Sequence, residues 1–206
     1  IRIYTCIATP SAPSLSTPAD KALLTDYTPM LDWSDVTAYL DHYDLQIAND
    51  AAFTQNLASY NTAVSTYTFG SDLPSNMTYY WRVRSVNAAG GTSAWTTARS
   101  FRTALLPPNS LTPGNLYPGV AINIHTKRPA FTWDAVIGAT SYSVEVATSA
   151  NCGTFSTKAL TGSATTNSFV PTKDLSANIA YCWRVKANGT YGPSGYSQVR
   201  TFTTGN

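Results

Sequence analysis

Two histidines, one glutamate, ten aspartates and three cysteines carry nearly all the chemistry that this 206-residue chain can offer. A catalytic histidine needs an orienting carboxylate and a nucleophile, and a metal site needs several N, S or O ligands together. His42 and His125 stand one in each half, so both read as structural. Acid–base work by paired carboxylates is poorly supported, because Glu145 is single and alternation puts it on an exposed face. Asp32, Asp35, Asp41 and Asp44 have oxygen ligands for calcium but lack the dense alternating spacing of known calcium loops, so they read as solvated turn aspartates. There is no glycine-rich phosphate loop. The expectation is a chain with no catalytic site, no metal and no cofactor.

What would have to position any site is β structure. Charged residues are 12% of the chain while Ser and Thr supply about a quarter, with 13 Tyr and 5 Trp. β-Branched and aromatic residues punctuated by 12 Gly and 12 Pro favour short strands and turns, and no long run reads as a helix. A net charge of +2, with Lys and Arg scattered, gives no basic stripe for nucleic acid or an anionic membrane surface. No apolar stretch approaches bilayer-spanning length, so membrane insertion is not expected. The chain starts at Ile1 without a signal peptide or initiator Met, which reads as a mature product or fragment. Low charge, abundant Thr and a plausible cysteine pair point to an extracellular, secreted or cell-surface location.

Self-similarity organises the rest. Tyr79-Tyr80-Trp81-Arg82-Val83-Arg84 recurs as Tyr181-Cys182-Trp183-Arg184-Val185-Lys186. Pro29–Trp33 is matched by Pro129–Trp133, Tyr43–Ala48 by Tyr142–Ala147, and Arg99–Thr103 by Arg200–Thr204. Four blocks in one order at a nearly constant offset define a duplication. Within each block apolar residues alternate with polar ones, as in Tyr43, Leu45, Ile47 against Asp44 and Gln46, so each reads as a strand with one buried face. The expected architecture is all-β, with about seven strands per repeat and Ala104–Asn109 as a stiff, proline-containing joint.

These residues resemble the fibronectin type III family, in the form found in bacterial secreted proteins. Trp33 and Trp133 resemble its strand B tryptophan; Leu73 to Tyr79 and Leu175 to Tyr181 resemble its tyrosine corner. Phe101 and Phe202 fit its closing strand, and Phe53 and Phe155 the aromatic after strand C. The resemblance covers residues from about 10 to the C-terminus and implies two immunoglobulin-like (fibronectin type III) β-sandwiches in tandem, over 10–104 and 105–206, with Trp33, Tyr79, Trp81, Trp133, Tyr181 and Trp183 in the cores. It also implies a spacer, adhesion or ligand-binding role without choosing among them.

In that fold strand C runs antiparallel to strand F, which brings Cys152 beside Cys182 and predicts a disulfide. Cys6 is left over in Ile1–Ile7, a stretch placed before Pro10 as the Phe101 strand is before Pro107. Residues 1–9 are read as an extended strand, the end of a preceding repeat, with Ile1, Ile3 and Cys6 able to add to a neighbouring molecule by strand or thiol. Candidate binding residues are Tyr191 and Tyr196 in the glycine-rich F–G loop of the second repeat and Trp95 at the matching place in the first, facing Arg82 or Arg84; because Tyr196 and Trp95 match, both read first as packing on their own sheet. Asn76-Met77-Thr78 and Asn188-Gly189-Thr190 are glycosylation sequons. Residues 10–105 carry a balance of −3 and residues 106–206 of +4, which favours head-to-tail association in an array or filament. The expected partners are proteins or further copies, with carbohydrate as the second class. The function expected first is a non-catalytic structural or adhesive module; second is a ligand- or carbohydrate-binding accessory module of a secreted enzyme.

Overall fold

The computed structural model describes residues 8–206, so the expectations for Ile1, Ile3 and Cys6 lie outside the described residues. Two compact units divide between Thr103 and Ala104. In the first, β1 (Leu15–Thr17), β3 (Met30–Trp33) and β6 (Thr66–Thr68) form one sheet in the order β1-β3-β6. The facing sheet has the order β2-β8-β7-β4-β5, with β2 (Ala22–Leu24), β4 (His42–Ala48), β5 (Ala58–Thr62), β7 (Thr78–Val86) and β8 (Arg99–Thr103). The opening strand is shared between sheets: β1 pairs antiparallel with β3, the chain turns at Pro18, and β2 pairs parallel with β8.

The second unit repeats the plan. Its main sheet has the order β10-β17-β15-β12-β13, from β10 (Ile122–Ile124), β12 (Ser141–Thr148), β13 (Leu160–Ala164), β15 (Ala180–Gly189) and β17 (Arg200–Thr204). The short β9 (Asn115–Leu116) joins β17, and β16 (Gly192–Pro193) forms a hairpin with β15. The opposite layer holds β11 (Phe131–Thr132) and β14 (Ser168–Phe169), extended by a bridge from Thr112 to Thr132. No α-helix occurs among the described residues; a 3₁₀ turn spans Ser149–Asn151.

Period-two alternation makes the cores. Tyr43, Leu45 and Ile47 from β4 and Tyr79, Trp81 and Val83 from β7 point inward against Leu31 and Trp33. Tyr142, Val144, Val146, Tyr181, Trp183 and Val185 do the same in the second unit against Phe131 and Trp133. Even the ring geometry repeats: Trp33 and Trp81 lie 6.5 Å apart, Trp133 and Trp183 6.4 Å. Tyr79 stacks on Phe101 and Tyr181 on Phe202. Removing any one of these indoles would forfeit about 3–5 kcal/mol through lost burial and the cavity left behind.

Tyrosine hydroxyls clip loops to these cores. Ser176 N–H donates to Tyr181 Oη at 3.1 Å, and Tyr79 Oη donates to the Pro74 carbonyl at 3.4 Å, the corner expected from sequence. A second clip had no counterpart in that reading. Tyr43 Oη accepts from Val36 N–H at 2.8 Å and Tyr142 Oη from Val136 N–H at 2.9 Å, fastening the loop before strand C (β4 and β12, with β7 and β15 as strand F) in both units. Where the units diverge, packing compensates: Tyr60 of β5 packs tilted against Tyr67, ring centres 4.7 Å apart, whereas β13 has Gly162, with the Phe169 ring lying where a side chain would stand.

Candidate functional site

Polar residues thrown outward by alternation gather on one sheet face in each unit, across strands C and F. In the first unit Asp44 and Gln46 of β4 stand opposite Arg84 and Arg82 of β7. Arg82 donates from Nε and Nη2 to Gln46 Oε1 at 2.9 and 2.7 Å, and Arg84 Nε donates to Asp44 Oδ2 at 2.9 Å. In the second unit Ser143 and Glu145 of β12 stand opposite Lys186 and Arg184 of β15. Here Arg184 donates to Glu145 Oε2 at 2.9 and 2.7 Å, and Lys158 Nζ lies 3.1 Å from Oε1. Each face therefore has one carboxylate–guanidinium pair, displaced by two residues between the units.

Aromatic rings complete a ladder. The Arg82 guanidinium carbon lies 4.0 Å from the centre of Phe53 and 4.7 Å from that of Trp95, and Arg84 lies 4.6 Å from Trp95. Arg184 lies 4.1 Å from Phe155 and 3.8 Å from Tyr196, with Lys186 Nζ 5.2 Å from Tyr196. Phe53 and Phe155 both take positive φ, 58° and 52°, a conformation that costs a bulky residue energy and persists only where its surroundings impose it. Different devices hold the two turns. Asp50 accepts from the N–H groups of Thr54 and Gln55 around Phe53, while the Cys152–Cys182 disulfide, the 3₁₀ turn and the Phe155 N–H bond to Asn151 O hold the other. The hydrogen bond from Gln55 N–H, with the Thr54 hydroxyl, lowers the Asp50 pKa.

Trp95 and Tyr196 reach their cations because the segment carrying them is clamped to strand F by hydroxyls. Ser93 Oγ accepts from Ser85 N–H at 3.0 Å and Thr96 Oγ1 from Val83 N–H at 3.1 Å. Ser194 and Ser197 accept likewise from Ala187 and Val185 at 2.9 and 3.0 Å. In both units the N–H of each of these hydroxyl residues donates back to the same strand residue's carbonyl. Three residues of the segment thus match two of strand F, with the ring between the two hydroxyls. The signal was present in sequence as Ser93-Ala94-Trp95-Thr96 and Ser194-Gly195-Tyr196-Ser197.

Burial corrects one expectation. Glu145 does face outward, but Arg184, Lys158 and Tyr196 cover it to 9% exposure. Burial alone would raise its pKa; hydrogen bonds from Arg184, Lys158 and Tyr196 outweigh that and hold it below the usual value. Tyr196 is pushed up, first by burial and then by its bond to Glu145. Burial and the neighbouring charge of Arg84 lower Arg82.

Of the three candidate binding residues, Trp95 and Tyr196 sit in the ladders, half-buried, and Tyr191 tops the β15–β16 hairpin at 65% exposure. A shallow groove of about 450 Å³ runs beside the first ladder, lined by Asp44, Gln46, Ser59, Asn61, Arg84 and Trp95 among others. His42 has Nδ1 2.8 Å from Asp41 and Nε2 3.4 Å from Asp44. Among the described residues no group of three or more His, Cys, Asp or Glu is placed to hold a metal ion. Both sequon asparagines are engaged: Asn76 Oδ1 accepts from Arg102 at 2.7 Å, and Asn188 Nδ2 donates to Ser143 Oγ at 3.0 Å. Among the described residues no helix is long and apolar enough to cross a membrane.

Comparison with known proteins agrees with this architecture. A family model described as "Rha78A-like, N-terminal immunoglobulin domain" matches residues 19–107 and again 117–206. The two-domain fibronectin type III segment of chicken tenascin is 14% identical, with a TM-score of 0.51 over 96% of this chain and 100% of that one. The chicken interferon gamma receptor alpha chain is 12% identical, with a TM-score of 0.51 over 98% of this chain and 100% of that one. At such identities the likeness is one of fold, that of tandem fibronectin type III domains. No curated protein matches the chain.

Proposed function

The chain belongs to the Rha78A-like N-terminal immunoglobulin-domain family in both of its halves, and from that premise we propose that it is a non-catalytic pair of structural modules of an extracellular multidomain protein, spacing its neighbours and contacting other proteins. The observation that carries this reading is the paired ladder. The side chains with most capacity for chemistry are committed, in the same form in both units, to joining strands C and F and the segment that follows them. A sugar platform stacks on open ring faces, and here guanidinium groups lie against the rings, two within 4.7 Å of Trp95 and Arg184 at 3.8 Å from Tyr196, leaving less ring surface for a sugar. The disulfide and the low charge support an extracellular setting.

A second reading, a ligand- or carbohydrate-binding accessory module of a secreted enzyme, draws on exposed Tyr191 and the groove beside Trp95. Affinity electrophoresis against a panel of polysaccharides separates the two. The spacer reading expects no retardation; retardation abolished by Tyr191→Ala or Trp95→Ala in a folded variant would replace it with the second.

A further inference from the structure

An outermost strand presents unpaired backbone N–H and C=O groups, and proteins blunt such edges with short strands, charges, prolines or bulges. Most edges of this chain follow that rule. β1 and β6 have three residues each, and β1 is bounded by Pro13 and Pro18. β2 and β10 are also three residues long, with Asp20, Lys21 and Asp26 around the first and Lys127 and Arg128 after the second. β11 and β14 have two each. β13 has five, but Lys158 precedes it and Gly162 interrupts it.

β5 has none of these protections. Its five residues pair with β4 in unbroken register from Ile47–Ala58 to Tyr43–Thr62. It lies at the end of its sheet, and among the described residues nothing pairs with it on the side away from β4. Residues 51–71 hold neither a charge nor a proline. Tyr60 anchors the inner face against Tyr67, while Ser59 and Asn61 are exposed. Leu57 just before the strand is 46% exposed and Val64 just after it 60%.

We propose that the free edge of β5 pairs with β5 of a second copy of this chain, antiparallel about a two-fold axis. The match is self-complementary. With Tyr60 opposite its own copy, an antiparallel pair brings exposed Leu57 of one strand opposite exposed Ala63 of the other, so an apolar side chain gains an apolar neighbour. In the same register each Ser59 faces Asn61 of the second copy, a hydroxyl against an amide. Like charges directly opposite would disfavour a homotypic pair, and residues 51–71 supply none. The isologous arrangement closes on itself as a dimer. It gives the protein-contact reading a surface and a partner, and the two fail separately: a strictly monomeric chain that ignores polysaccharides sinks the pairing and leaves the spacer standing.

Analytical ultracentrifugation over a wide concentration range tests it, in a Cys6→Ser background that removes thiol-linked dimers. The mass should rise from 22.1 kDa towards twice that value. Ser59→Lys with Asn61→Lys places lysines opposite lysines and should weaken association about tenfold or more. Thr161→Lys with Ser163→Lys, equally exposed on β13, adds the same charge and should leave association intact. Mixing the β5 lysine variant with Ser59→Glu/Asn61→Glu should restore a mixed dimer. A monomer at every concentration overturns the proposal. So does a dimer indifferent to the β5 lysines, or one weakened equally by the β13 pair, given unchanged thermal melts.

Discussion

Replacing Arg184 by methionine tests whether the ladder is structural. The change keeps the aliphatic stem while removing two hydrogen bonds to Glu145, at 2.9 and 2.7 Å, and the cation against Phe155 and Tyr196. Hydrogen bonds to charged groups contribute about 1.5–3 kcal/mol, and each partly exposed cation–π contact about 0.5–1. The pair is not fully buried, with side chains 23% and 12% exposed, and Lys158 still reaches Glu145. Methionine also keeps some contact with the rings. Because these terms are not additive, the expected loss is about 2–3 kcal/mol, or about 10–20 °C in the melting of a domain this size. Arg82→Met is the internal comparison. It has the same two-ring environment, but its acceptor is the neutral amide of Gln46. Its loss should be smaller by about 1 kcal/mol, because only one partner of the Arg82–Gln46 bond is charged, whereas Arg184 and Glu145 are both charged and Arg184→Met leaves a largely buried carboxylate short of a cation. Differential scanning calorimetry and urea denaturation of both variants in the intact chain measure the two losses. Equal losses would refute the role given to Glu145, and losses below about 0.5 kcal/mol in both would make the ladders surface decoration.

Other consequences are open to similar measurement. Tyr43→Phe strands the N–H of buried Val36 and should cost about 1–2 kcal/mol in urea denaturation, more than Tyr142→Phe, whose partner Val136 is half-buried. Gly162→Ala would set a methyl 2.2 Å from the Phe169 ring and should destabilise the second unit by about 1–3 kcal/mol in calorimetry, relieved by Phe169→Leu. The folded Glu145 carboxyl lies below its ordinary 4.5, so its contribution is present above that pH and lost as pH falls through the lower folded value. Glu145→Gln should flatten that acid limb in melts recorded against pH, and an unchanged limb would contradict the assignment.

The duplication and the strands were readable from repeated, alternating blocks, and the core indoles, the corner tyrosines and the disulfide from the resemblance that those blocks carry. The hidden parts rest on what covers a face. Alternation correctly sent Glu145 outward, but it has no term for Phe155 and Tyr196 folding back over its partner Arg184 from elsewhere in the chain. Positive φ at Phe53 and Phe155 runs against local preference, so no propensity argument finds it. The clamp at Ser93 and Thr96 is spaced by three where strands count by two, and a search for alternation passes over it. The parted halves of the opening strand escaped for another reason: β1 and β2 have three residues each, too few to show a period.

That division of the opening strand bears on force. β2 runs parallel to β8 through Ala22–Phe101, Leu23–Arg102 and Leu24–Thr103, and β10 runs parallel to β17 through three matching pairs. Tension entering a unit along its first strand and leaving along its last draws these neighbours past each other lengthwise. All three pairs then bear the load at once, where an antiparallel hairpin pulled at its open end would yield one rung at a time. A module joined in this way is expected, in single-molecule pulling, to resist stretching beyond what its thermal stability alone would indicate, and the same parallel pairing occurs in both units.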